Sequence, residues 1–449
     1  MNRARNALLV ILALLLLLSG CNSILEGEKL QITPHAQQSP DNLADVIPEI
    51  TDYDALLAEL TAQIRRGAEL GLARVLDYSG DLEPDLRRAR TELLTRDPLG
   101  AYALSELTLT ATPVVSIFEV DIAMTYRRSR GQINAVVPID TEAALETELL
   151  TVLTKYRAEA ALLTTLPGVT AESVVRELET LYYDNPLLVV MLPVIVVNIY
   201  PAGADGTEPR IIELQLGYSP SADVLSAFAS HFGVTAESIA AQAEGRNDGE
   251  RLLALCERLA ELVEYDAAAA DLADYLPQSF AATAYGALSN GSAIGEGYAM
   301  AYKALCDKLA LDCRVVRGER GEKRYAWNIV AYDGAYYHVD AAQCDELGFA
   351  ASFFRTDRDM AAAGYVWPEE YPPCDGAETY YTISGRNTAP PQTPPPTPTP
   401  TYNPAVSPGV TPPAAPDTPE ESPEPPIPSD TPPQETADEE IIESEETNP

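Results

Sequence analysis

Residues 292–345 read SAIGEGYAMAYKALCDKLALDCRVVRGERGEKRYAWNIVAYDGAYYHVDAAQCD, and this stretch decides the fold of the C-terminal half of the chain. Apolar and aromatic residues of its first part recur at the spacing of a helix: Tyr298, Ala301, Tyr302, Leu305 and Leu309. Three runs typical of antiparallel strands follow: 313–317, 326–332 and 336–339. Asp333-Gly334 between the last two indicates a tight hairpin turn. Together, these patterns predict a helix packed on an antiparallel sheet.

Three short motifs occur in order within this stretch: GEGYA at 295–299, YAWN at 325–328 and YHVD at 337–340. They resemble the core of the transglutaminase-like superfamily, whose bacterial members read roughly G-x-C-x-G-Y-A, H-A-W-N and Y-H-V-D. The resemblance extends over about 248–374, and it implies an α+β fold with a papain-like core. It also implies a cysteine nucleophile, a histidine base and an aspartate that holds the histidine.

Residue by residue, the resemblance places Gly295 at the cysteine position, Tyr325 at the histidine position and Asp340 at the aspartate position. Glycine offers no nucleophilic atom. Tyrosine, with an ordinary pKa of about 10, is a poor general base near neutral pH. The motifs therefore predict a pseudoenzyme, a member of the superfamily that is not an active enzyme. The candidate binding residues beside the former groove are Glu296, Tyr298, Trp327 and Asn328, although Trp327 is equally well explained as plain core.

Other residues near the motif offer weaker alternatives for catalysis. Ser292 precedes the helix without an evident base, and Cys306 lies about 16 Å along the helix axis from residue 295, too far to share its pocket. His338 shares a strand face with Asp340 and either contacts it or makes a structural hydrogen bond. Glu296 with Asp340 is a further alternative, as a paired-carboxylate hydrolase site.

The chain opens with a basic, then apolar, then small-residue pattern that is typical of a secretory signal peptide over 1–21. Its ending, LSGC at 18–21, resembles a bacterial lipobox, which implies that Cys21 carries lipid. An ordinary signal peptide or a signal anchor is the alternative. The polar residues 22–48 then read as a tether. We expect an extracytoplasmic protein, anchored by lipid to the bacterial cell membrane.

A formal charge of −38 argues against nucleic acid and anionic lipid as partners, because both require basic patches. His35 and His231 lack metal-ligand spacing, so we expect neither a metal nor another cofactor. The sequence does not indicate an oligomeric state.

Residues 49–234 predict a separate α/β domain ahead of the transglutaminase-like domain at 246–386. The order of elements from Asp97-Pro98 through a hairpin to Tyr126 is similar to the order from Asp184 to Tyr218. This similarity indicates either a duplicated hairpin-and-helix unit or a coincidence of two apolar hairpins. The acidic, proline-rich residues 387–449 contain no Lys or Arg and predict a disordered tail.

With Cys21 lipidated, five cysteines remain. Cys256, on an apolar helix stripe, is predicted to be a buried free thiol. Cys306 with Cys313, and Cys344 with Cys374, are candidate disulfides in an exported protein.

The leading functional hypothesis is therefore a cell-surface lipoprotein that binds or scaffolds peptide or cell-wall ligands. The alternatives are an active peptidase, amidase or crosslinking enzyme with an unorthodox nucleophile, and a membrane-tethered spacer that binds nothing specific.

Overall fold

Two α/β units with the same strand order precede an α+β unit in the computed structural model. We call them the first repeat (49–134), the second repeat (137–240) and the C-terminal unit (248–384). The structure describes residues 47–204, 206–272, 278–321 and 323–386. The predicted signal peptide, lipidated Cys21, residues 22–46 of the tether and the predicted tail lie outside the described residues.

The first repeat is a four-stranded sheet in the order β1-β2-β4-β3, with β1 parallel to β2 and the other pairs antiparallel. Its elements are β1 (Glu49–Ile50), α1 (Tyr53–Arg66), β2 (Leu70–Val75), α2 (Leu82–Thr95), α3 (Pro98–Ala103), β3 (Leu104–Val114), β4 (Ile117–Tyr126) and α4 (Arg130–Asn134). The helix α1 begins where the Asp52 carboxylate accepts a hydrogen bond from the backbone N–H of Ala55 (2.8 Å). It ends at Gly67, whose positive φ of 65° suits glycine.

The second repeat has the order β5-β6-β8-β7, again with the first two strands parallel. Its elements are β5 (Val137–Ile139), α5 (Glu142–Thr154), β6 (Glu159–Thr164), α6 (Ala171–Asp184), β7 (Val194–Tyr200), β8 (Arg210–Gly217) and α7 (Ala222–Ala240). Both repeats thus contain a strand, a helix, a strand, helical structure, a hairpin and a closing helix, in that order.

The C-terminal unit is built around a five-stranded antiparallel sheet in the order β14-β13-β12-β11-β15. Its elements are α8 (Asp248–Leu262), β9 (Glu264–Tyr265), α9 (Ala267–Leu272), β10 (Ser292–Ala293), α10 (Gly295–Lys308), β11 (Cys313–Arg320), β12 (Lys323–Tyr332), β13 (Ala335–Val339), α11 (Ala341–Leu347), α12 (Phe349–Ser352), β14 (Phe353–Arg355), α13 (Asp357–Ala362), β15 (Tyr365–Val366) and α14 (Tyr380–Ser384). A 3₁₀ turn (Phe280–Ala282) and a π-helical turn (Gly286–Asn290) precede β10.

The helix α10 packs between α8 and the sheet through buried tyrosines and one buried amide. Tyr298 donates its hydroxyl to the carbonyl of Val263 (2.6 Å), and Tyr302 donates to the carbonyl of Leu252 (2.8 Å). On the sheet side, the Asn328 amide donates to the carbonyl of Ala299 in α10 (2.9 Å). These bonds satisfy polar atoms that burial removes from water, so they fix the helix against the sheet. A helix on an antiparallel sheet is the arrangement that the sequence predicted for this unit.

The second repeat and the C-terminal unit share one hydrophobic core, in which Leu214 and Phe232 of the repeat belong to the same buried cluster as Tyr302 and Leu305. The first repeat has a core of its own, to which Ala161 and Ile211 of the second repeat contribute. The sequence predicted a separate α/β domain ahead of the C-terminal unit. In the structure the second repeat and that unit both contribute side chains to one buried cluster.

All five cysteines of the described residues are buried and unbonded. The thiol of Cys344 lies beside that of Cys256, so the predicted pairing of Cys344 with Cys374 is wrong for this structure. Cys306 lies next to Cys313, as the other predicted pairing requires, but no bond joins them. Cys256 is a buried free thiol. Among the helices that the structure describes, none is long and apolar enough to cross a bilayer.

Candidate functional site

The positions that the resemblance assigns to a catalytic triad lie together in the structure. Gly295 starts α10, Tyr325 lies on β12, and Asp340 follows β13 directly. The Tyr325 hydroxyl donates to Oδ1 of Asp340 across 3.2 Å. On the other side, the Tyr325 ring covers Gly295: a Cβ added to this glycine would lie 2.6 Å from Cε2 of the ring and 2.9 Å from Cζ. The ring occupies the space that any side chain at position 295 would need.

Asp340 is held by three hydrogen-bond donors. Besides Tyr325, the Tyr365 hydroxyl donates to Oδ2 (2.7 Å), and the backbone N–H of Gln343 donates to Oδ1 (3.0 Å) as Asp340 caps α11. The carboxyl is 2 % exposed. Burial raises its pKa from the usual 3.8 to about 6, and the hydrogen bonds offset only part of that rise. Asp340 therefore changes charge in mildly acidic solution.

The two phenols around Asp340 are poor bases. Burial raises the pKa of Tyr325 above its usual value, and it does the same for Tyr365. Their rings meet edge to face, with centroids 6.0 Å apart. The Arg320 guanidinium lies over both rings, 5.7 Å from the Tyr325 centroid and 5.5 Å from the Tyr365 centroid. These cation–π and ring contacts hold the phenols as hydrogen-bond donors to the carboxyl.

Glu296, the residue after Gly295, bonds to the second repeat. The Tyr183 hydroxyl at the end of α6 donates to Oε1 of Glu296 across 2.5 Å. Burial raises the pKa of Glu296, and this hydrogen bond acts in the opposite direction. Arg317 of β11 pairs with Glu179 of α6 (2.7 Å) and lies 5.0 Å from the Tyr183 ring centroid. Sequence reasoning did not find Tyr183 or Glu179, because no motif links them to a position more than a hundred residues away.

Three of the four predicted binding residues are interior. Tyr298, Trp327 and Asn328 are each 1 % exposed or less. The Tyr298 hydroxyl and the Asn328 amide N–H donate inside the protein as described above, and the Trp327 indole N–H donates to Nδ1 of His338 (2.9 Å). Their burial agrees with the alternative of plain core for Trp327, and a role of the three in ligand binding stays a prediction. Glu296 is partly exposed, and its carboxylate accepts the hydrogen bond from the Tyr183 hydroxyl.

A second cluster joins His338, Asp357 and Cys374, whose side-chain ligand atoms lie within 4.8 Å of one another. Because the indole N–H of Trp327 occupies Nδ1, the neutral imidazole carries its proton on Nε2, and this N–H donates to Oδ1 of Asp357 (2.9 Å). A protonated Nε2 is neither a metal ligand nor a general base. Burial also raises the pKa of the Cys374 thiol and lowers that of His338.

The role of His338 follows from these contacts. Of the two alternatives from the sequence, the histidine makes a structural hydrogen bond, with Asp357 as its partner rather than Asp340. Ser292 has a long contact with Oδ2 of Asp266 (3.5 Å). The carboxyls of Glu296 and Asp340 are engaged by different tyrosines, which does not suit a shared acid–base site.

No family model matches the chain, and no curated protein matches it in sequence. Among solved structures, it is similar to a protein described as a TGase, at 12 % identity and a TM-score of 0.22, over 49 % of this chain and 60 % of that one. It is also similar to a putative cysteine protease from Cytophaga hutchinsonii, at 15 % identity and a TM-score of 0.22, over 39 % of this chain and 70 % of that one.

Proposed function

We propose that this chain is a lipid-anchored protein of the bacterial envelope whose C-terminal unit is a transglutaminase-like core without catalysis. In this proposal the protein binds or scaffolds peptide or cell-wall components outside the cytoplasm. The observation that carries the proposal is the packing of the Tyr325 ring against Gly295, where the superfamily places its nucleophile.

The chemistry of thiol-dependent acyl transfer explains why this packing matters. Such a reaction needs a thiolate and a base of near-neutral pKa within hydrogen-bond reach, and a third group must orient the base. Gly295 supplies no thiol, and the pKa of the Tyr325 phenol is raised further from neutrality. Asp340, which would orient an imidazole, instead accepts hydrogen bonds from two phenols.

The same residues have a structural role that needs no catalysis. Asp340 caps α11, and the phenols of Tyr325 and Tyr365 satisfy its buried oxygens. Leaving such a carboxyl unpaired would cost about 1–3 kcal/mol or more. The role of Asp340 in stability is therefore enough to explain why the chain has an aspartate at this position without a nucleophile at position 295.

Activity assays on purified residues 22–386 test the proposal. We expect no peptidase, amidase or amine-transfer activity from the natural chain. Activity that disappears in Asp340→Asn would overturn the proposal, because it would show a working site at this position.

A rebuilt site tests the transglutaminase-like frame itself. The double substitution Gly295→Cys with Tyr325→His removes the ring that blocks position 295 and places an imidazole beside Asp340. We expect its new thiol to react with iodoacetamide at pH 6, as a thiolate paired with imidazolium does. Gly295→Cys with Tyr325→Asn is the matched control, because it also removes the blocking ring but lacks the base. Equal reactivity of the two variants would contradict the assigned frame.

The anchor is tested separately. Cells that express the chain and are fed a radiolabelled fatty acid should label it, and Cys21→Ala should abolish the label and release the protein from the membrane fraction. Retention of Cys21→Ala in that fraction would favour a signal anchor instead.

A further inference from the structure

The strand β7 forms one edge of the second repeat's sheet, where it pairs with β8 alone. Its sequence, VIVVNIY over 194–200, contains no charged residue and no proline. Val194 is 49 % exposed and Val196 is 48 % exposed. Edge strands offer unpaired backbone groups to other chains, and proteins usually protect them with charges, prolines or bulges. Pro193 and Pro201 flank β7, but within the seven residues of the strand neither a charge nor a proline protects the edge.

The first repeat provides an internal comparison, because β3 holds the same place in a sheet of the same strand order. The exposed residues of β3 are polar apart from its end: Ser105, Glu106, Thr108, Thr110 and Thr112, followed by Pro113. One repeat therefore has a protected edge and the other an apolar one. The difference lies in the sequences of the two strands, since their position in the sheet is the same.

A cavity of about 410 Å³ lies beside β7. Its wall on the strand side is Val197, and α6 supplies the rest: Ala171, Glu172, Val175, Arg176 and Glu179. The valines and the alanine give it an apolar floor, whereas the charged residues lie along α6. A strand added to β7 would point every second side chain toward this side of the sheet. The edge and the cavity thus offer backbone pairing and a side-chain pocket at one place.

We propose that an extended peptide from another protein adds to β7 as a fifth strand and places an apolar side chain in this cavity. This is the mode of recognition known as strand addition, in which backbone bonds give affinity and side-chain pockets give specificity. The inference rests on the proposed function as a binding protein, and it moves the ligand from the blocked triad position to the edge of the second repeat.

Charge selects the kind of peptide. A second copy of this chain would bring a formal charge of −38 to another −38, which disfavours self-pairing. The tail at 387–449 is acidic and rich in proline, which lacks the N–H that a strand needs. Around the cavity Glu179 is paired with Arg317 and Glu172 lies one turn from Arg176, so the charge that selects the peptide is the acidic balance of the whole chain. The preferred ligand is therefore a basic segment with β-branched residues at alternate positions.

A synthetic peptide tests the inference on the whole chain from residue 22. The probe is fluorescein-labelled KVTVTVTVK, with fluorescence anisotropy for affinity and hydrogen exchange for location. We expect slower amide exchange in β7 on binding. Lysines at the edge, Val194→Lys with Val196→Lys, should weaken binding about tenfold or more. Val175→Lys in the cavity should do the same. Thr108→Lys on β3 is the matched control and should change nothing.

Three outcomes would overturn the inference: no binding, protection that maps away from β7, or concentration-dependent dimers that the edge lysines abolish. The last would assign the edge to a second copy of the chain. The proposed function fails by a different result, namely catalytic activity in the natural chain. Protection of β7 by the peptide would support strand addition whether or not that activity is found.

Discussion

Asp340 should make the protein less stable as the pH rises from 4 to 7. In the unfolded chain an aspartate ionises near pH 4. In the folded protein burial keeps this carboxyl protonated until about pH 6. Between these values the folded state binds one proton more than the unfolded state, so the free energy of unfolding falls with rising pH.

The magnitude follows from the size of the pKa shift. A rise from 3.8 to about 6 is roughly two pKa units. At about 1.4 kcal/mol per unit, the contribution of Asp340 is about 3 kcal/mol. The side chain is almost fully buried, so solvent screening reduces this figure little. All of that stability is present below pH 4 and lost above pH 6.

Asp340→Asn isolates this contribution, since it keeps the shape of the side chain and removes the titration. Urea unfolding of residues 22–386 at pH 4 and pH 7.5 gives the free energy of unfolding for the natural chain and for the variant. The natural chain should lose about 2.5 kcal/mol relative to the variant between the two pH values, because at pH 4 the unfolded aspartate is already partly ionised. A constant offset, from the altered hydrogen bonds of the amide, does not enter this difference.

Asp345→Asn is the matched control, because Asp345 lies on the same helix but is exposed to solvent. Its stability should run parallel to that of the natural chain. The reasoning is refuted if Asp340→Asn also runs parallel, or if the natural chain gains on it with rising pH. The second result would mean that the three donors stabilise the carboxylate more than burial penalises it.

Three further results are expected. Val115 lies at the hairpin tip between β3 and β4, fully exposed and with a positive φ of 57°, which strains a β-branched residue. Val115→Gly should therefore raise the free energy of unfolding by about 1 kcal/mol, measured as a higher melting temperature. A lower melting temperature would show that the valine is packed. Tyr183→Phe removes the donor to Glu296 and should destabilise the chain by about 1–3 kcal/mol in urea unfolding at pH 7, whereas an unchanged midpoint would show that water replaces the phenol. The five buried thiols should react with a thiol reagent only after unfolding. Partial labelling of the native chain would contradict their burial. Fewer than five reactive thiols after unfolding without reductant would reveal disulfides.

Local patterns in the sequence predicted the elements around the site well. The stripe of Tyr298 and Tyr302 fixes which face of α10 is buried, and Asp333-Gly334 forms the turn between β12 and β13. Such patterns report which side of an element is covered, because periodicity is a property of one element. They do not report what covers it.

The misplaced residues follow from that limit. For Trp327 the sequence left groove and core open, and the burial of Trp327 and Asn328 depends on His338 and on α10, which come from other parts of the chain. The bond between Tyr183 and Glu296 joins residues whose separation of 113 leaves no local trace. Cys344 lies beside Cys256 rather than Cys374 because α11 packs against α8, a tertiary contact that cysteine counting does not contain.

The core shared by the second repeat and the C-terminal unit has a consequence for unfolding. α10 packs against α7, the helix that carries Phe232, inside the shared core, so these two parts should unfold as one cooperative unit. The first repeat has a largely separate core, joined to the second repeat by Ala161, Ile211 and the Arg128–Glu213 ion pair (2.7 Å), so we expect it to open earlier once those contacts break. The two repeats, although they share one strand order, would then unfold at different temperatures or denaturant concentrations. A protease that cleaves transiently open forms should cut the first repeat before the rest of the chain.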